Sequence, residues 1–107
     1  MGTFIGTRGN LLGMTLEKVR SEISATDREI VRLIARRQEL AEQIIRIKIH
    51  EGLPVHDERR TAKVLDAVFS QAVEQKIDPV AVQEIFRTLI AMSEERQREF
   101  SGEGNLP

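Results

Sequence analysis

Residues 15–51 read TLEKVRSEISATDREIVRLIARRQELAEQIIRIKIHE, and neither Gly nor Pro interrupts this run. Val19, Ile23, Ile30, Ile34, Ala41 and Ile44 recur at the 3.6-residue period of a helix with one apolar stripe. Thr15 offers an N-cap oxygen with Glu17 in the first turn, and Gly52 and Pro54 stop the pattern after Glu51. The reading is a single helix of about 36 residues, roughly 54 Å long at 1.5 Å per residue. A compact domain of this size has a radius of gyration near ~13 Å, so one subunit cannot cover such a rod. The apolar stripe therefore predicts a second copy, and an intertwined helical homodimer.

Two cations break the stripe. Turning 100° per residue from Ile30, Arg37 lies about 20° from the stripe direction and Lys48 almost on it. The neighbouring Arg28, Arg32, Arg36 and Arg46 all project more than about 100° away, onto the wet face. An unpaired buried charge costs several kcal/mol, comparable with the stability of a small domain, so Arg37 and Lys48 call for an anionic partner.

Downstream, Asp57 is an N-cap after the Leu53-Pro54-Val55 turn, and a second helix carries Val64, Leu65, Val68, Phe69 and Ala72 inward as far as Lys76. Asp78-Pro79 restarts a third helix, with Asp as cap and Pro at the first helical position. Its apolar face holds Val82, Phe86, Leu89, Ile90 and Phe100 before Gly102 and Gly104. Polar residues interrupt these faces too. Ser93 and Gln97 lie within about 20° of Phe86, and Asp57, Arg60 and Thr61 share a face with Val64 and Val68. No strand pattern or internal repeat is present. The fold class is all-α, with one long and two shorter helices forming a single domain over residues 15–107. Residues 1–14, with Gly2, Gly6, Gly9 and Gly13 and no periodicity, read as a flexible tail, Met14 being a candidate start.

Composition excludes several function classes. A net charge of −1 over 107 residues, with acids and bases interleaved, lacks the basic excess of a nucleic-acid surface. No apolar run reaches the roughly 20 residues that span a bilayer, and no signal segment opens the chain. With no Cys there is neither a disulfide framework nor thiolate chemistry, and a cytoplasmic setting is expected. The chain also has no Tyr or Trp, and no Ser is paired with a base, so nucleophilic catalysis has no candidate. His50 and His56, at the helix end and in the turn, read as solvated. Neither is spaced for a shared metal, and no phosphate loop is present; no metal or cofactor is expected.

The inward polar set is thus Arg37, Lys48, Asp57, Arg60, Thr61, Ser93 and Gln97, with Arg20 and Asp27 at the stripe edge. Its cations outnumber its carboxylates, which suits a small molecule bearing more than one carboxylate. Singly, each has a plainer role: Arg37 paired in a dimer interface, Lys48 solvated near a helix end, Arg60 a surface charge, Asp57 a cap. Any enzyme built on this set works by positioning and electrostatics.

The run VRSEISATD at Val19 to Asp27, LIARRQELA at Leu33 to Ala41, Ile47-Lys48, Pro54-Val55-His56-Asp57 with Arg60, and Ile85-Phe86 with Ser93 and Gln97 resembles, in one register, the all-helical class of chorismate mutase. The resemblance implies rearrangement of chorismate to prephenate without cofactor. It implies that Arg20 reaches into the partner's site and, with Arg37, holds the substrate carboxylates, assisted by Ser93. Lys48 and Gln97 would donate to the ether oxygen of the breaking bond, and Asp57 and Arg60 would fix the ring-hydroxyl end. Thr61 departs from the glutamate usual directly after the Arg60 position. The related isochorismate pyruvate lyase keeps the cations and lacks both acids, so Thr61 leans toward it and Asp57 toward the mutase. A noncatalytic helical dimerisation or regulatory module is the reading of a different class.

Overall fold

The computed structural model describes residues 13–102, all of whose regular structure is helical. Helix α1 spans Leu16–Glu51, α2 Glu58–Glu74 and α3 Pro79–Ser101. The expected tail falls almost wholly outside the described residues. The chain divides into two compact units, Met1–Ile34 and Ala35–Pro107.

The helix boundaries follow from their caps. Thr15 Oγ1 accepts the Lys18 amide at 3.0 Å. Asp57, in extended conformation, accepts the Arg60 amide at 3.1 Å. Asp78 Oδ1 accepts the amides of Val80 and Ala81, with Pro79 in the first turn, where its missing N–H costs nothing. Gly102 closes α3 at φ 90°, a left-handed conformation that lacks a Cβ penalty only for glycine. Helix α2 ends two residues before Lys76, earlier than the periodicity predicts. Lys76 itself takes φ 61°, so that its amide and that of Ile77 satisfy the carbonyls of Val73 and Ala72. The chain leaves the helix there on a lysine in a conformation that glycine adopts more readily.

In the Met1–Ile34 unit every side chain from Leu16 to Leu33 is exposed, including Ile23 at 54% and Ile30 at 50%. In the Ala35–Pro107 unit the core consists of Ala41 and Ile45 from α1 with Leu65, Val68 and Ala72 from α2. Ile45, only 2% exposed, lies about 60° round the helix from Ile30, whereas the predicted Ile44 is 44% exposed. The inward line of α1 has thus rotated within this unit. Phe69 and Phe100, both expected inside, are 39% and 43% exposed. Phe100 instead lies under the guanidinium of Arg46, 5.0 Å from the ring centroid, so an arginine assigned to the wet face covers it.

Polar ties complete the unit. Gln83 Nε2 donates to the Leu65 carbonyl at 3.0 Å, joining α3 to α2. Arg96 Nε donates to Glu42 Oε1 at 2.8 Å, joining α3 to α1. No helix among the described residues is long and apolar enough to cross a membrane.

With so few buried apolar side chains, Ile45 carries a large share of this small core. Ile45→Ala should cost about 2–5 kcal/mol. Urea titration should then show a lower midpoint at unchanged slope.

Candidate functional site

A cavity of about 490 Å³ opens in the Ala35–Pro107 unit, within the range of small-molecule sites. Leu40, Ala41, Ile44, Val64 and Ile90 give it an apolar floor. Its polar wall is Arg37 and Lys48 from α1, Asp57, Arg60 and Thr61 at the start of α2, and Ser93, Glu94 and Gln97 from α3. The structure thereby gathers seven of the eight predicted site residues. Arg20 is exposed in the Met1–Ile34 unit and does not line the cavity.

Lys48 is the best-anchored of the cations. Its Nζ donates to Gln97 Oε1 at 3.0 Å and to the Val55 carbonyl. Gln97, 4% exposed, turns its Nε2 to Ser93 Oγ at 3.3 Å. An ammonium has three N–H donors and a carboxamide nitrogen two, so one N–H on each group is left for a ligand. The amide orientation is dictated by chemistry: Lys48 can only donate, so the carboxamide oxygen must face it.

Arg37 is held differently. Its guanidinium lies 5.7 Å from the Phe86 ring centroid and makes one long contact, 3.4 Å, to the Leu89 carbonyl. Burial, and then the nearby charge of Arg60, lower its pKa, although an arginine so shifted still remains charged near neutrality. Among the described residues, no carboxylate lies within ion-pair distance of Arg37, Lys48 or Arg60. Asp57, also in the wall, spends Oδ1 on the Arg60 amide as the cap of α2. The guanidinium and ammonium groups therefore line the cavity without direct ion pairs among the described residues, three cations against the carboxylates of Asp57 and Glu94.

One residue of the cavity wall, and a histidine beside it, were not visible in the helical pattern. Glu94 lies about 80° round α3 from Phe86, at the edge of the apolar face, and nothing in its spacing marks it. His56, read as solvated and half exposed here, lies between two carboxylates: Nδ1 is 2.8 Å from Glu94 Oε2 and Nε2 is 2.7 Å from Glu58 Oε2. Hydrogen bonds to Glu94 and then Glu58, followed by the charge of Glu94, raise the His56 pKa above its ordinary value.

Comparison with known proteins places the chain in a family. The family model for chorismate mutase type II matches residues 19–98. The chain belongs to the chorismate mutase type II family. A protein of Methanocaldococcus jannaschii named chorismate mutase is 30% identical over 85 residues, covering 79% of this chain and 86% of that one. A T-protein of Haemophilus influenzae is 31% identical over 85 residues, again 79% of this chain, but the match spans only 22% of that longer protein. Membership makes the chain an enzyme of the isomerase class, a chorismate mutase type II domain.

A partly desolvated cation without a carboxylate partner is a cost to folding that a bound anion would offset. Replacing Arg37 by Met, which keeps the packing against Phe86, should stabilise the ligand-free chain by roughly 0.5–2 kcal/mol. The thermal midpoint should rise while binding of a dicarboxylate is lost; a lower midpoint would show that Arg37 is paired for stability.

Proposed function

We propose that this chain rearranges chorismate to prephenate as a homodimer, each site being completed by Arg20 of the partner subunit. The observation that carries the reading is the group of cations, Arg37, Lys48 and Arg60, around one cavity without carboxylate partners among the described residues. Chorismate is a dicarboxylate with an apolar ring. It matches an apolar floor beneath a cationic wall.

The reaction is a [3,3] shift: the ether C–O bond breaks as a C–C bond forms between the enolpyruvyl arm and the ring. No proton moves and no nucleophile is required. The barrier falls when the arm is held folded over the ring and when charge developing on the ether oxygen is stabilised. Arg37 and the partner's Arg20 would grip the two carboxylates, with Ser93 assisting. The remaining N–H donors of Lys48 and Gln97 would meet the ether oxygen. Because Lys48 is already tethered to Val55 and Gln97, its donor needs little reorganisation as charge appears. Asp57, Arg60 and Thr61 would take the ring-hydroxyl end.

The dimer answers the exposed apolar side chains of residues 16–33. A second copy would cover Ile23 and Ile30 and would carry Arg20 to a site that lacks it. The proposed setting is the cytoplasm, and no nucleic-acid or membrane partner is required.

Thr61 favours one further reading. Without a glutamate there, elimination of pyruvate from isochorismate is the alternative chemistry for the same cations.

The purified protein should consume chorismate, followed by its ultraviolet absorbance, and yield prephenate by mass. Lys48→Ala should lower kcat/KM by roughly 10²–10³-fold with helicity unchanged by circular dichroism. Pyruvate release from isochorismate alone would replace the mutase by the lyase, and turnover of neither would leave a noncatalytic dimer. Mixing Arg20→Ala subunits with Lys48→Ala subunits should restore about one working site per heterodimer. No recovery would place Arg20 in its own subunit's site.

A further inference from the structure

The segment between α1 and α2 is held from three directions. Lys48 of α1 binds the Val55 carbonyl, Asp57 caps α2, and His56 between them reaches Glu58 at the start of α2 and Glu94 of α3. A carboxylate oxygen only accepts, so both short His56 contacts are hydrogen bonds when both ring nitrogens carry protons. The geometry is that of an imidazolium between two carboxylates.

Glu94 has a second face. Its side chain, 17% exposed, forms part of the wall that also holds Lys48 and Arg37, and its Oε1 lies 3.7 Å from Arg98 Nη2. A bare carboxylate there repels a ligand that itself carries two carboxylates. With His56 protonated, that charge is answered on one oxygen by the imidazolium and approached on the other by Arg98.

We propose that His56, as the imidazolium, is a positioning residue of this site: through Glu94 it fastens the turn carrying Val55 to α3, and it neutralises Glu94 toward a dianionic substrate. The assignment rests on the function proposed above. Fastening the turn fixes the Val55 carbonyl, and that carbonyl is one of the two oxygens that aim Lys48. His56 touches no reacting atom in this scheme.

The charged groups around His56 are Glu58 from α2, Glu94 and, behind it, Arg98 from α3, and Lys48 from α1 on the adjoining carbonyl. Asp57 follows in the chain with one carboxylate oxygen, Oδ1, on the helix cap. The raised pKa fixes the sign of the pH effect. The fastening is fully present below the ordinary imidazole value, provided the carboxylates are ionised, and is lost as pH rises through the raised value.

The test is the pH profile of chorismate turnover by the full chain from about pH 5.5 to about 9, in wild type, His56→Arg and His56→Gln. Wild type should lose roughly two- to fivefold in kcat/KM across the His56 titration, mainly through KM, the size expected of partly solvated charge pairs. His56→Arg, with a permanent cation, should remove that loss, and His56→Gln should show the lowered value at every pH. The imidazole titration followed by NMR should move toward its ordinary range in Glu94→Gln. Turnover with the same profile in all three proteins would overturn the role of His56 alone. Absence of chorismate turnover at any pH would overturn the proposed function and this assignment with it.

Discussion

The ammonium of Lys48 joins three parts of the chain at one atom: it belongs to α1, binds the carbonyl of Val55 in the following turn, and binds the carboxamide of Gln97 from α3. Much of the site's order follows from this donor-only group. It turns the oxygen of Gln97 inward and therefore its nitrogen toward Ser93 and the cavity. It also holds the turn close to α3, where His56 meets Glu94. A neutral side chain at the same position would fill space without setting any of these directions. The result is a pocket in which the acceptors nearest Lys48 are taken by the protein, while one donor each on Lys48 and Gln97 is left for a ligand.

That arrangement departs from what folding alone favours. The core of the Ala35–Pro107 unit is small, and the cavity beside it is walled by Arg37, whose partial burial and repulsion from Arg60 the ligand-free chain must tolerate. Ties such as Arg96 to Glu42 and Gln83 to Leu65 lie outside the cavity wall. These ties stand apart from recognition, although Ala41 and Asp57 serve both stability and recognition, and local rules of apolar patterning fail where recognition resides.

Much of this was legible in sequence because it depends on local chemistry. Thr15, Asp57, Asp78 and Gly102 mark helix ends by satisfying backbone groups within a few residues, and the structure follows them closely. Arg37, Lys48, Ser93 and Gln97 stood out because a period of 3.6 residues says which way a side chain points. What escaped depends on how elements meet. The burial of Ile45 in place of Ile44 reflects the angle at which α1 packs in its unit, and Lys76 closes α2 in a conformation ordinarily left to glycine. The contact between His56 and Glu94 joins a turn to a helix 38 residues away, a separation that no periodicity encodes.

The continuous helix α1 has one further consequence. Its residues from Ala35 onward belong to a unit stabilised within one chain, whereas the apolar side chains from Leu16 to Leu33 are exposed within it. Under the proposed pairing, the second set is governed by mass action and the first is not. Dilution would then dissolve the interface and strip each site of its borrowed arginine while the pocket itself persists. Specific activity would become a property of the solution as well as of the molecule.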